Sequence, residues 1–206
     1  MNRTASLVQR AAVAAVLAVA SAGCGGANPV LSPLSLPAAT TSTTTTTSVA
    51  PVAAPDYTQL LLQPSDVYVP GDGFTAPPPL RDPDGIEGAE ELMTNGDQTR
   101  AVGITIVMES DAQTALREVP IARDKLSTVV PTAPPLSVPV GAGATAVVGV
   151  SPDGTKAVTA LVFSQDRAIV RIDYYSALGQ ATPIDFVIEV GLKQAIALRV
   201  GLARQR

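Results

Sequence analysis

SPDGTKAVTALVFSQDRAIVRIDYY, residues 151–175, decides the fold. Ser151-Pro152-Asp153-Gly154 is a turn with a mechanism: Pro152 presets φ and Gly154 accepts a positive one. Ala157 to Phe163 follows as a strand, Gln165-Asp166-Arg167 turns the chain again, and Ala168 to Tyr175 returns. In that return Val170, Ile172 and Tyr174 alternate with Arg171, Asp173 and Tyr175. A period of two places one set in a core and the other toward water. Ala144 to Val150, just upstream, is a third strand of the same meander.

Working outward, Gly88 to Met93 and Val102 to Met108 form a hairpin across Asn95-Gly96-Asp97. Between the hairpin and the meander lies a helix. Ser110 with Gln113 matches a capping box, and Ala112, Ala115, Leu116, Val119, Ala122 and Leu126 keep helical spacing. Pro120 lies inside it, removes a backbone donor, and predicts a kink or a break. The last helix has Thr182 as cap, Pro183 at its first position and Asp185 completing a capping box. Ile184, Val187, Ile188, Gly191, Ala195 and Leu198 make its buried stripe, with Gly191 marking a close approach to the sheet. Residues 57–67 read as a short helix or turn leading in, and 70–85 as loop. The expectation is therefore an α+β domain over 57–206: an antiparallel sheet of about five strands, with two main helices packed on one face.

The segment before this domain reads differently. Arg3 and Arg10 form a positive start, Ala11 to Ala20 is an uncharged apolar run, and Ser21-Ala22-Gly23 supplies small residues. The run is too short to span a bilayer, and the pattern is that of a signal peptide over 1–23. Ala22-Gly23-Cys24 resembles a lipobox, the stretch ending in the cysteine that receives diacylglycerol; Ser21 stands where leucine is usual. Cys24 is the chain's one cysteine, which excludes an intramolecular disulfide and points to lipidation there. Residues 24–56 carry no hydrophobic period but many Thr, Ser and Pro, including Thr40-Thr41-Ser42 and Thr43 to Thr47. That composition is expected to form a disordered tether, reaching on the order of 100 Å when extended and open to O-glycosylation.

Composition excludes several functions. Loss of Arg3 and Arg10 from the 14 basic residues leaves 12 against 18 acidic ones, a net charge of −6. A surface of that sign does not suit nucleic acid or anionic lipid. There is no histidine, so neither a Ser-His-Asp nor a Cys-His arrangement exists, and the commonest zinc and copper ligand is missing. Lys125, Lys156 and Lys193 do not stand in a Ser-x-x-Lys motif. Asp82, Asp84, Glu87, Glu90 and Glu91 supply calcium-type oxygens without the spacing of a calcium loop, and Gly141, Gly143 and Gly149 do not form a phosphate loop. No catalytic residue, metal site or cofactor is assigned. Tyr174 and Tyr175, adjacent on a strand, face opposite sides, which leaves Tyr175 free to contact a ligand.

The Ala-rich start, VASAGC ending at Cys24, the Thr/Pro-rich tether, LLLQPSDV (60–67), SPDGTKAVTALVF (151–163) and DFVIEVGLKQ (185–194) together resemble mycobacterial or actinobacterial cell-envelope lipoproteins. They are similar to the LpqN-like lipoproteins and to the sensor domains of mycobacterial membrane kinases. The resemblance implies an extracytoplasmic domain on the cell membrane, held by acyl chains on Cys24. It implies a non-enzymatic binding role toward a lipid, a wall fragment or a protein partner. Two other readings stay open: a hydrolase working through carboxylates alone, and a purely structural or antigenic surface lipoprotein.

Overall fold

The computed structural model describes residues 55–205. The signal peptide, Cys24 and nearly all of the tether lie outside the described residues. The sheet is antiparallel throughout and holds eight strands, not about five. The five long ones are β3 (Gly88–Asn95), β4 (Ala101–Met108), β6 (Ala142–Val150), β7 (Lys156–Gln165) and β8 (Ala168–Ala177). Three two-residue strands complete it: β1 (Phe74–Thr75), β2 (Leu80–Arg81) and β5 (Leu136–Ser137). The order is β1-β3-β4-β8-β7-β6-β5, with β2 also paired to β3. These short pieces sit in Pro- and Gly-rich segments, and two residues carry no alternation to read. They cover parts of the outer strands β3 and β6, the usual protection of a sheet edge.

The helices do not share a face. α1 (Ala112–Asp124) packs with Ala115 in a cluster that contains Val158, Ala160, Val162 and Ile169. α2 (Ile184–Arg204) packs Val187, Val190 and Leu198 in a second cluster with Leu161, Phe163, Val170 and Ile172. Neighbouring residues of β7 thus belong to opposite clusters, and the sheet lies between the two helices. The cause is β7 itself. Ala157 to Ser164 are all buried, so both faces of this strand need a cover. α1 supplies one cover and α2 the other.

The local signals moved slightly. Asp111, not Ser110, caps α1: its Oδ1 accepts from the Thr114 amide at 2.8 Å. The carboxylate is one residue nearer the first turn, and the Ser110 hydroxyl donates to it instead. Pro120 neither ends nor divides α1, which passes into a 3-10 turn at Lys125–Thr128. α2 starts after Pro183 and has no side-chain cap. Thr182 lies one residue too early, and its carbonyl accepts from the Thr159 hydroxyl on β7 at 3.4 Å. A Cβ on Gly191 would lie 2.7 Å from Leu161 Cδ2 and 3.0 Å from Val140 Cγ1, so glycine does let α2 approach the sheet closely.

Beside α2, the same sheet face is covered by the chain's entry segment. Tyr57, Leu60, Leu61, Leu62 and Val67 are all buried in the α2 cluster. Gln194 holds this segment to the helix: its Oε1 accepts from the Leu62 amide at 3.1 Å, and its Nε2 donates to the Leu60 carbonyl at 2.7 Å. The amide is fully buried and both of its ends are used. The entry point is also pinned from the side. The Tyr57 hydroxyl donates to Glu87 Oε1 at 2.5 Å and accepts from Arg167 Nη2 at 2.8 Å, with the guanidinium 5.5 Å from the Tyr57 ring centre.

Gln194→Leu keeps the side-chain volume but strands one buried N–H and one buried carbonyl, at about 1–3 kcal/mol each. The expected result is a melting temperature lower by roughly 5–15 °C for a domain of this size. Differential scanning calorimetry checks it.

Candidate functional site

One end of the sheet carries a cavity of about 400 Å³. Its wall includes the start of β4 and the end of β8, where Val102 pairs with Tyr174 and Ala101 with Tyr175. β1 contributes Phe74, the first turn of α2 contributes Phe186, and the loop before α2 contributes Gln180 to Pro183. The chain has three Phe, four Tyr and no Trp. Two of each, Phe74, Phe186, Tyr174 and Tyr175, line this one space. Such concentration of scarce aromatic rings marks a surface built for apolar contact.

The walls are held in place. Phe186 meets Tyr174 edge-on, with ring centres 6.2 Å apart and planes at 72°. The Ser176 hydroxyl donates to the Gln180 carbonyl at 2.6 Å and shapes the loop after β8. At the rim, Asn95 Nδ2 donates to both Asp72 oxygens, at 2.9 and 3.0 Å, while Asn95 Oδ1 accepts from the Arg100 amide at 2.9 Å. The Arg100 guanidinium lies 3.5 Å from the same Asp72 carboxylate. The β3–β4 turn is thereby fixed to the loop that precedes β1.

Tyr174 is buried, and its hydroxyl has no hydrogen-bond partner. Burial raises its pKa far above the usual phenol value, with the neighbouring Asp173 adding to the shift. The hydroxyl is closed off from solvent, so Tyr174 contributes its ring to the cavity wall. Tyr175 faces the other side of the sheet, as its alternation with Tyr174 requires, yet still lines the cavity at its edge. It is half-buried, and its pKa is raised first by that burial and then by Asp173. Sequence reasoning named Tyr175 and missed Tyr174, Phe74 and Phe186. The scarcity of rings was the available signal; their convergence depends on non-adjacent strands.

Carboxylates do not gather here. No Asp or Glu lines the cavity, and Arg100, Tyr174 and Tyr175 are its titratable groups. Among the described residues no group of acids, histidines or cysteines is arranged to hold a metal. The acidic stretch after Arg81 disperses: Glu87 holds Tyr57, while Glu90 and Glu91 are neighbours on β3 and project to opposite faces. Glu91 enters the α2 side of the sheet opposite Ile104, is 7% exposed, and leaves Oε2 without a partner. Asp173 is half-buried beside Arg171, whose Nη2 lies 2.8 Å from Oδ2. Burial outweighs that guanidinium and raises the Asp173 pKa.

Fold and site together define an α+β domain with an aromatic-lined apolar cavity at one sheet end. No protein-family model matches the chain, and no curated protein does. Among solved structures, the extracellular domain of PknH from Mycobacterium tuberculosis is similar at 12% identity, over 66% of this chain and 93% of that one, with a TM-score of 0.47. A superposition that loose transfers neither site nor activity. Among the described residues, no helix is long and apolar enough to cross a membrane.

Burial raises the Glu91 pKa above the ordinary 4.5. The folded protein therefore binds this proton more tightly than the unfolded chain does. Glu91 costs no stability below the unfolded value, and its penalty grows as pH rises through the folded value. Glu91→Gln is expected to raise the melting temperature at pH 7 and to lose that advantage below about pH 4. A paired pH series of thermal melts checks both the sign and the window.

Proposed function

We propose that this protein is a membrane-anchored envelope lipoprotein whose domain binds an apolar or amphipathic small molecule without transforming it. The observation that carries the reading is the convergence of Phe74, Phe186, Tyr174 and Tyr175 on one cavity that no carboxylate lines. A space of this size lies within the range of small-molecule sites, and apolar walls with few polar groups are their usual composition. The Arg100 rim offers a polar contact beside the rings, so a molecule with an apolar body and a polar end fits best. The anchoring half of the proposal rests on Cys24 and the apolar run before it. Two or more acyl chains on one cysteine give stable attachment without help from surface charge.

Binding is tested by titrating the protein with an environment-sensitive fluorescent fatty acid. Saturable enhancement is expected. Ala181→Trp, at an exposed position on the cavity wall, fills the space and should abolish it while leaving the melting temperature unchanged. Equal probe binding by both proteins sinks the assignment. Tyr174→Phe removes an unpaired hydroxyl, so it should leave stability equal or higher by about 1 kcal/mol. Cell fractionation tests the anchor: Cys24→Ala should move the protein out of the membrane fraction, and a variant that stays there refutes lipidation as the means of attachment.

A further inference from the structure

α2 has a second apolar face that nothing among the described residues covers. Its inner side buries Val187, Val190, Gln194, Leu198 and Leu202. On the outer side Leu192, Ile196 and Val200 follow at four-residue intervals and are 42%, 50% and 44% exposed. Ile188, half-buried, continues the same stripe toward the N-terminus. Residues four apart stack on one side of a helix, so this is a continuous ridge and not scattered exposure. The charges along it are separated by sign. Asp185 and Glu189 lie toward the N-terminal end, Arg199 and Arg204 toward the C-terminal end, and all four are exposed. Glu189 already pairs with Lys193 at 2.8 Å. Asp185 and Arg199 have no ion pair among the described residues.

We propose that this face is the interface of a homodimer, in which two copies of α2 pack antiparallel about a two-fold axis at Leu192. The charge pattern selects a second copy of this chain as occupant. An isologous contact must be self-complementary, because each patch meets itself reversed. Reversal about Leu192 sets Asp185 opposite the partner's Arg199 and Ile188 opposite the partner's Ile196. The apolar ridge meets itself in the middle, and both outer ion pairs form. A parallel pairing instead sets like charge against like. An anionic membrane would accept the basic end and repel the acidic one. α2 is about 31 Å long, so the contact buries less than the usual ~800 Å² per partner. The dimer is expected to be weak, with Kd on the order of micromolar. This surface is separate from the cavity, and the proposal does not depend on the ligand reading.

Sedimentation velocity on the full chain carrying Cys24→Ala, over roughly 1–200 μM, tests it without acyl chains driving association. A concentration-dependent dimer is expected. Leu192→Glu should return a monomer, and because Leu192 is exposed its melting curve should match the parent; Ile196→Glu is an independent second variant. Arg199→Glu and Asp185→Arg singly should each weaken the dimer about tenfold, since each change breaks two symmetric pairs. Their combination should restore it. A monomer at all concentrations overturns the proposal, as does a dimer indifferent to Leu192→Glu. A charge-swapped double variant no better than the singles overturns the antiparallel register. Co-sedimentation with anionic vesicles, lost in Leu192→Glu while the parent stays monomeric, would assign the face to a lipid surface and overturn the dimer.

Discussion

Two-sided burial of β7 is the constraint on which the rest of the structure depends. From Val158 to Phe163 each residue is fully buried, and successive side chains enter different cores. A strand in that state must be central, with hydrogen-bonded neighbours on both edges and a layer on both faces. β6 and β8 supply the edges, and α1 and α2 the layers. At about 25 cal/mol per Å² of apolar surface, six such residues form a large share of the hydrophobic stabilisation. Few other strands face this demand. β4 and β8 bury one side and leave half-exposed residues such as Thr105, Arg171 and Asp173 on the other.

The layer containing α2 is assembled from the two ends of the domain. The entry segment arrives first in sequence and α2 last, and each covers only part of the sheet. Their seam is closed where Gln194 takes the Leu60 carbonyl and the Leu62 amide. A polar side chain in that position does what an apolar one cannot: it satisfies backbone groups of an irregular segment that has no ladder partner of its own. The cavity lies at the N-terminal end of α2, where Phe186 is part of its wall. Phe74 of β1, the start of β4 and the end of β8 complete the wall.

The sequence disclosed the long elements well and their arrangement poorly. Period-two alternation located β8 from residues 168–175 and separated Tyr174 from Tyr175 correctly. Turn chemistry at Asn95-Gly96 and Pro152-Asp153-Gly154 placed both hairpins. The stretch Val158 to Phe163, apolar except for Thr159, also held the answer to the helix placement, because a strand wet on one side would alternate. Setting both helices on one face ignored it. β1, β2 and β5 had no legible signal, since two residues pair through tertiary position and not through propensity. Gln194 stands outside the expected buried stripe of α2, and its partners are over 130 positions away. The site was legible to the extent of one residue, Tyr175. The other rings come from β1, β8 and α2, and only the strand order brings them together.

The placement of the cavity also bears on what it can do. Its walls come from elements that are individually fixed: Asn95, Asp72 and Arg100 tie the β3–β4 turn to the loop that precedes β1, and Ser176 ties the loop before α2. A space lined by aromatic rings on a braced frame does not need to reorganise on binding, so little ordering entropy opposes a ligand. No carboxylate lines that space, and Arg100, Tyr174 and Tyr175 are its titratable groups. For the binding role proposed above, such preorganisation lowers the cost of holding a molecule.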